Sequence, residues 1–306
     1  GKYDVLKYAE EGATFLLNCL LPADQVWDDL PAETQKRLIE KKVRFYVLDG
    51  YGVAKKVGLG RRFNIPLQTA FFALANILPK DEAVKHIKEY IEKTWAKKGD
   101  DVVRMNKDSV DHALETLTEV NVPQSVNSLK TMQLPVTSDA PDFVQRVTAM
   151  MIKGEGDLLP VSALPADGTY PSGTTQYEKR NLALEMPVWD EKLCIQCGKC
   201  VIICPHACIR GKIYDQAAAD AAPAEFLMAK AMFGPSFKDK FYTIQVAPED
   251  CTGCTLCVQV CPAKSKTDPN YRAINMVEQP PIREREKVKW AYFDALPDIN
   301  SYSMDM

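Results

Sequence analysis

Eight of the chain's 10 cysteines fall in two short runs that repeat one spacing. The first run extends from Cys194 to Pro205 and the second from Cys251 to Pro262, and both read CxxCxxCxxxCP. Three thiolates spaced by two residues can surround one iron–sulfur cube, while the fourth cysteine, about one helical turn later, ligates the cube of the other run. The repeated spacing therefore predicts a domain folded around two 4Fe–4S clusters.

The spacing also predicts which thiolates share a cluster. The first set is Cys194, Cys197, Cys200 and Cys261, and the second set is Cys251, Cys254, Cys257 and Cys204. Neither a zinc ribbon, which needs only four thiolates in CxxC pairs, nor a set of disulfides accounts for a three-plus-one spacing that occurs twice before proline. No general acid, base or nucleophile is predicted, because sites of this kind transfer electrons.

Five further residues receive separate predictions. Gly198 and Gly253 are expected where backbone amides must approach sulfur closely. Cys208 and Cys19 are expected to be buried apolar thiols. His206 is expected beside the clusters or at the surface rather than as a ligand, because cysteine already fills every ligand position.

The composition excludes several classes of protein. With 306 residues, 46% hydrophobic and 26% charged, the chain is long enough for roughly two globular domains and is neither disordered nor fibrous. No apolar stretch approaches the roughly 18 residues of a membrane-spanning helix, so no membrane partner is expected. The 38 basic and 41 acidic residues are interspersed, which argues against nucleic-acid binding. The start at Gly1, without Met or leader, suggests an internal piece of a longer protein.

The N-terminal part has the pattern of an α/β domain. Residues 14–17 and 43–48 are short apolar runs separated by a polar stretch with helical spacing, which predicts a strand–helix–strand unit. Apolar residues from Val84 to Trp95 predict an amphipathic helix. A further helix is predicted downstream, with Asn106 or Asp108 as its N-cap.

A glycine-containing segment follows the second predicted strand. Residues 49–52 suggest a dinucleotide-binding fingerprint, but Lys55 occupies the position of its third glycine, so the fingerprint fails. Residues 58–62, with two glycines and two arginines, are compatible with a phosphate site at the next helix. A helix end followed by a glycine turn is the favoured alternative.

Two longer segments complete the organisation. Six prolines interrupt residues 122–173, which predicts a connector around one short amphipathic helix, Phe143 to Met151. Residues 205–250 separate the two cysteine runs and predict an insertion, because a compact hairpin needs far fewer residues. Within it, Gln216 to Met232 is predicted as a helix and Phe241 to Val246 as a strand.

Several segments outside the cysteine runs carry a resemblance over the whole length of the chain. They are KYDVLKY (2–8), TFLLN (14–18), QTAFF (68–72), GDLLPVS (156–162), QYEKR (176–180) and IQVAPEDC (244–251). With these segments the chain resembles an internal part of the pyruvate:ferredoxin (flavodoxin) oxidoreductase family. The paired cysteine runs alone would indicate only a ferredoxin-like module.

The resemblance implies an α+β multidomain fold. Residues 1–133 would be an N-terminally truncated, gamma-like α/β domain, and residues 134–173 a small linking domain. Residues 174–285 would be a bacterial two-cluster ferredoxin-like domain with an insertion. Residues 286–306 would begin a thiamine-diphosphate domain.

The resemblance also implies a function. Members convert pyruvate and coenzyme A to acetyl-CoA and CO2, and 4Fe–4S clusters pass the electrons to ferredoxin or flavodoxin. Thiamine diphosphate, Mg²⁺ and a third 4Fe–4S cluster are expected only in domains absent from this sequence, so the chain alone is expected not to turn over pyruvate. The alternative is a free-standing two-cluster electron-transfer subunit of another 2-oxoacid:ferredoxin oxidoreductase.

The expected partners are the acceptor protein and the remaining domains of a parent enzyme, expected to be a homodimer. A coenzyme A contact within residues 1–130 is left open. Thiolate ligands argue for a reducing compartment. The expected location is the cytoplasm, or an anaerobic mitochondrion-related organelle in a eukaryote.

Overall fold

The structure, a computed structural model, describes residues 3–299 as two compact units that divide between Tyr170 and Pro171. Residues 1, 2 and 300–306 lie outside the described part, and with them the last seven residues of the predicted start of a thiamine-diphosphate domain. Both units combine helices with strands, which confirms the predicted mixed α and β class. Within residues 3–299, no helix combines the length and apolarity needed to cross a membrane.

A three-stranded sheet forms the centre of the first unit. Strand β1 (Thr14–Asn18) lies parallel to β2 (Arg44–Leu48), and β3 (Thr118–Val120) is antiparallel to β2. Helices α1 (Ala23–Asp29) and α2 (Ala32–Glu40) connect β1 to β2. The strand–helix–strand prediction is therefore confirmed.

Both faces of this sheet are covered by helices. The other helices of this part are α3 (Gly50–Lys56), α4 (Asn64–Ala75), α5 (Lys80–Trp95) and α6 (Asp100–Thr116). Because side chains alternate along a strand, Phe45 packs with Trp27 and Leu38 from α1 and α2, whereas Leu48 packs with residues of α3, α4 and α6 such as Ala113. Helix α5 follows the predicted Val84–Trp95 pattern, with Ile91 fully buried.

The predicted start of α6 is wrong. The helix begins at Asp100, after Gly99 with φ +100°, and continues through Asn106 and Asp108. Two aspartates in its first turn favour this start because they face the positive end of the helix dipole. The Asn106 side chain donates instead to the Val102 carbonyl four residues earlier, at 2.7 Å, inside the helix.

The chain after β3 is held to α2 by one buried amide. Gln35 is fully buried and donates to the Trp27 carbonyl (2.7 Å) and the Asn127 side chain (2.9 Å). Its oxygen accepts from the backbone N–H groups of Asn127 and Ser128. Further along, the predicted Phe143–Met151 helix is observed as a π-helical turn, Val144–Thr148, that continues into α7 (Ala149–Ile152).

The second unit contains two small antiparallel sheets. Strand β4 (Glu185–Trp189) pairs with β8 (Ile274–Glu278), and the other sheet has the order β5-β7-β6, with β5 (Ile209–Tyr214), β6 (Ala229–Lys230) and β7 (Phe241–Val246). Its helices are α8 (Lys199–Ile203), α9 (Gln216–Asp220), α10 (Leu256–Val260) and α11 (Arg283–Ala295). The predicted strand at Phe241–Val246 is confirmed as β7.

The prediction of a helix from Gln216 to Met232 is correct only for its first five residues and wrong for the rest. Helix α9 ends at Asp220, and residues 229–230 are strand β6. Pro223 explains the difference, because proline lacks an N–H donor and disfavours a helical conformation at the residue before it. Glu225, with φ +60°, then turns the chain away.

Helix α11 packs on the β5-β7-β6 sheet of the second unit. Phe293 is fully buried with Tyr214 and Phe226, and the Lys212 ammonium donates to the Leu296 carbonyl. The helix continues without a break across the predicted boundary at 285/286. The finer division into four domains stays a prediction.

Replacing Phe45 by Ala should destabilise the first unit by about 3 to 5 kcal/mol, the usual cost of truncating a buried phenylalanine. Phe45 is fully buried and its ring lies 5.5 Å from that of Phe15. The free energy of opening, measured by amide hydrogen exchange of β1 and β2, should fall by this amount. Phe71→Ala is the matched control because Phe71 is 53% exposed. Equal losses in both variants would contradict the assignment of the core.

Candidate iron–sulfur site

The two cysteine runs lie side by side in the second unit. In each run the first three cysteines lie on a loop and the first turn of a short helix, and the fourth cysteine is the C-cap of that helix. Helices α8 and α10 pack against each other. Pro205 and Pro262 follow the C-cap cysteines, where a residue without an N–H donor ends a helix.

The two loops have the same backbone conformation. Gln196 (φ +54°) and Gly253 (φ +66°), the second residues after the first cysteines, are left-handed, as are Gly198 (φ +68°) and Thr255 (φ +69°), the fourth. In each loop the second residue's N–H donates to the sulfur of the first cysteine at 3.3 Å. The repeated spacing therefore encodes a repeated loop that turns amide groups toward sulfur.

Gly198 lines the first cavity and has a left-handed backbone. A Cβ atom at this position would contact no protein atom within 4 Å, and the close approach of its amide to sulfur stays a prediction. Its positive φ favours glycine, because glycine adopts this conformation without steric cost. Thr255 occupies the equivalent position in the second loop, which shows that the fold imposes the conformation even on a β-branched residue.

The eight cysteines of the runs surround two cavities, four to each. Cys194, Cys197, Cys200 and Cys261 line the first cavity, and Cys251, Cys254, Cys257 and Cys204 line the second. The cavities measure about 330 Å³ and 310 Å³ including their open mouths. The fourth cysteine of each run thus faces the cavity formed by the first three of the other run. These are the groupings that the spacing predicts.

The chemistry of the donors fits a 4Fe–4S cluster in each cavity. Four thiol groups are the ligand set that such a cluster requires. Apolar side chains complete the walls, among them Ile244 and Ile274 in the first cavity and Ile209 and Met276 in the second. Among residues 3–299, no group of three His, Cys, Asp or Glu side chains is arranged to hold a single metal ion.

The third cysteine of each run lies where the cavities adjoin. Burial is the main cause that raises the pKa of Cys200 to about 11, and the nearby Cys194, Cys261 and Cys197 also contribute. Burial likewise raises the pKa of Cys257 to about 12, with contributions from Cys251, Cys254 and also Cys200 of the other run. Metal binding must therefore displace protons from both thiols. Helices α8 and α10, which carry these two cysteines, pack against each other, so the two sites lie close together.

A ninth cysteine lies at the second cavity. Cys208 is 4% exposed, which confirms a buried thiol, but its place on the cavity wall was not expected. Its sulfur lies 3.4 Å from that of Cys204, and a hydrogen bond with Cys251 is the main cause that raises its pKa, followed by burial. His206 is exposed and lines the same cavity. Cys19, in the first unit, is only half-buried, so the prediction of a buried thiol is wrong for this residue.

The insertion holds the first loop in place through Gln196. This side chain is 6% exposed, donates to the Lys230 carbonyl at 2.7 Å and accepts from the Met232 N–H at 2.9 Å. Sequence reasoning missed Gln196 because a glutamine between two cysteines has no distinctive pattern. Its counterpart in the second loop, Gly253, needs no such support for its positive φ.

The QYEKR segment lies close to the second loop. Lys179 forms an ion pair with Asp250 at 2.6 Å, one residue before Cys251, while Glu178 and Arg180 pair with each other at 2.5 Å. Both pairs lie within the second unit. The fully buried Gln279 adds a further tie, since it donates to the Pro248 carbonyl at 2.8 Å.

The glycine turn after α3 has the geometry of a helix end. Gly58 (φ +84°) donates to the Lys55 carbonyl, and Leu59 donates to the Ala54 carbonyl at 2.9 Å. This pair of bonds is a Schellman motif. It accounts for Gly58 without a ligand, in agreement with the favoured interpretation.

Three family models match parts of the chain. Residues 2–116 match the model described as pyruvate ferredoxin/flavodoxin oxidoreductase, and residues 193–265 match a 4Fe-4S dicluster domain. Between them, residues 130–183 match the EKR domain, described as a domain of unknown function. The match of residues 193–265 confirms the prediction of two 4Fe–4S clusters.

Longer relatives match almost the whole chain. The chain is 46% identical over 304 residues to a pyruvate-flavodoxin oxidoreductase from a Nostoc species, with 97% of the chain and 25% of the relative covered. It is 39% identical over 299 residues to pyruvate:ferredoxin oxidoreductase from Moorella thermoacetica, with 98% and 25% covered. The chain therefore spans about a quarter of the length of these relatives. It belongs to the pyruvate:ferredoxin/flavodoxin oxidoreductase family.

Proposed function

We propose that this chain is the electron-relaying segment of an enzyme that oxidises pyruvate with coenzyme A and passes the electrons to ferredoxin or flavodoxin. One observation carries the proposal: two adjoining cavities, each surrounded by four thiols, lie in a chain of this family. Adjoining clusters suit a relay because an electron can pass between them without bond making or breaking.

We assign the ligands in two crossed sets. Cys194, Cys197, Cys200 and Cys261 would hold one cluster, and Cys251, Cys254, Cys257 and Cys204 the other. When bound, the clusters supply one-electron oxidation and reduction. The chain itself positions the clusters and controls their surroundings. The N–H groups of Gln196 and Gly253 donate to sulfur atoms of proposed ligands, and the apolar walls reduce the access of water.

Exposure suggests where electrons enter and leave. Cys197 and Cys254, the second cysteines of their runs, are exposed, whereas Cys257 is buried and Cys200 is half-buried. Each site therefore has one solvent-facing corner, and the corner nearest the other site is less exposed. An acceptor protein can approach an exposed corner while electron exchange between the sites stays inside the protein.

The wider assignment follows the family. We propose that residues 1–133 correspond to a gamma-like domain, 134–173 to the linking domain and 174–285 to the inserted ferredoxin-type domain, with the thiamine-diphosphate domain beginning near 286. Thiamine diphosphate, Mg²⁺ and a third cluster would be held by other domains of a homodimeric parent. The cytoplasm is the proposed compartment, because thiolate ligands require reducing conditions.

The first test is the metal content of the chain purified without air. We expect about eight iron atoms and about eight acid-labile sulfides per chain, since each cube holds four of each. Dithionite should bleach the visible colour and produce the EPR signals of reduced 4Fe–4S clusters. A colourless preparation that contains zinc would sink the proposal.

A second prediction concerns the crossed ligation. Cys257→Ala and Cys204→Ala lie on different runs but should abolish the same EPR signal, because both ligands face the second cavity. Cys200→Ala and Cys261→Ala should abolish the other signal. Each variant should lose one cluster and keep about four iron atoms per chain.

The control is Cys19→Ala, which removes a half-buried thiol of the first unit and should keep both signals and all of the iron. If Cys204→Ala and Cys200→Ala removed the same signal, each run would hold its own cluster and the crossed assignment would be wrong.

A further inference from the structure

The second cavity has a fifth cysteine, which the proposed ligand set does not use. Cys208 lines this cavity together with Cys204, Cys251, Cys254 and Cys257. Its sulfur lies 3.4 Å from that of Cys204 and also forms a hydrogen bond with Cys251. The thiol therefore lies between one proposed ligand from each cysteine run.

The fold holds Cys208 firmly in this place. It is 4% exposed and directly precedes β5, and its carbonyl accepts from the Ala247 N–H at 2.8 Å. A turn closed by the Ala207 N–H and the Cys204 carbonyl, with Ala207 at φ +49°, brings residue 208 back beside residue 204. The position of the sulfur is thus set by the β5–β7 register and by this turn.

Among residues 3–299, no cysteine beyond the four proposed ligands lines the first cavity. Cys208 comes four residues after the last cysteine of its run, and the corresponding residue after Cys261 is Ser265. Ser265 does not line the first cavity, and its hydroxyl bonds instead with Thr267 at 2.9 Å. The two sites therefore share one loop conformation but differ in this neighbour.

The chemistry of the contact follows from which thiols keep a proton. Ligand thiols lose theirs when they bind iron, whereas a thiol that is not a ligand remains an S–H donor. Hydrogen bonds to ligand sulfurs are one of the factors that set the reduction potential of a cluster. Reduction adds negative charge to the cluster, so a donor stabilises the reduced form more than the oxidised form.

We propose that Cys208 is a positioning residue whose S–H group donates to the Cys204 or Cys251 ligand sulfur and raises the reduction potential of the cluster in the second cavity. The first cluster lacks this donor. Cys208 thereby shifts the equilibrium between the two clusters so that a single electron resides more on the second. This inference rests on the proposed ligation.

The test is a redox titration of the full chain, purified without air and followed by EPR. Cys208→Ala should shift the reduction equilibrium of the second cluster toward its oxidised form by up to about tenfold, which is about 59 mV for a one-electron couple. The first cluster should keep its midpoint. The signal that Cys257→Ala abolishes identifies the second cluster.

Two further variants separate hydrogen bonding from packing. Cys208→Ser retains a hydrogen-bond donor. Its midpoint should therefore differ from that of the parent by no more than half of the shift seen in the alanine variant. Ser265→Ala, at the corresponding position of the other run, should shift neither midpoint. If the alanine variant does not fold, the serine variant is the test. A reduction equilibrium constant of the second cluster within threefold of that of the parent chain supports the proposal, and a decrease of about tenfold overturns it.

The outcomes distinguish this inference from the proposed function. Full iron content with an unchanged midpoint in Cys208→Ala overturns the role of Cys208 and leaves the ligation intact. Loss of about four iron atoms would make Cys208 itself a ligand and also overturns the inference. A parent chain without iron would instead overturn the proposed function.

Discussion

The second unit depends on the left-handed backbone at two positions of each cysteine loop. This conformation turns an amide toward the first sulfur and directs three thiols to one cavity. The fourth sulfur of that cavity comes from the other run, at the end of the other short helix. Neither cavity is complete unless both loops form and α8 packs on α10, so the two sites assemble together.

The insertion between the runs supports this arrangement. Strand β5 begins just after Cys208 and β7 ends five residues before Cys251, and the two strands pair along their whole length. Their register fixes the distance between the runs. Strand β6 adds to the same sheet, and the chain from Lys230 to Met232 binds Gln196. A left-handed backbone conformation costs more free energy for glutamine than for glycine. The two hydrogen bonds of the Gln196 side chain offset that cost.

Periodicity and spacing predicted the main elements, and single residues explain where they failed. Strands β1, β2 and β7 and helix α5 follow from apolar patterns that their tertiary surroundings reinforce. The alanine-rich segment after Tyr214 has high helix propensity, but α9 ends at Asp220 because Pro223 prevents the helix from continuing. Asn106 looks like a cap because asparagine is frequent at helix starts, yet an earlier start at Asp100 leaves it inside α6. Local patterns thus identify elements more reliably than their ends.

The cysteine spacing also predicted which thiols would lie near one another, because that spacing is tied to one loop conformation. It could not predict Gln196, Gln279 or the place of Cys208. Their partners are distant in sequence or depend on a turn, and nothing in the residue types marks them. Cys208 is only four residues from Cys204, but a helix continuing past Cys204 would have pointed it differently from the observed turn.

The near identity of the two loops has a consequence for electron transfer. The number and type of the proposed ligands and the first amide bond to sulfur are the same in both sites. A difference in potential between them must therefore arise from their surroundings, through burial, charge and further hydrogen bonds. The surroundings do differ. Trp189 lines the first cavity and packs against Tyr242, whose pKa is raised by burial and then by the nearby cysteines, whereas the second cavity contains Cys208. The repeated loops make the two sites alike, and the unrepeated residues around them make the surroundings of the two sites different.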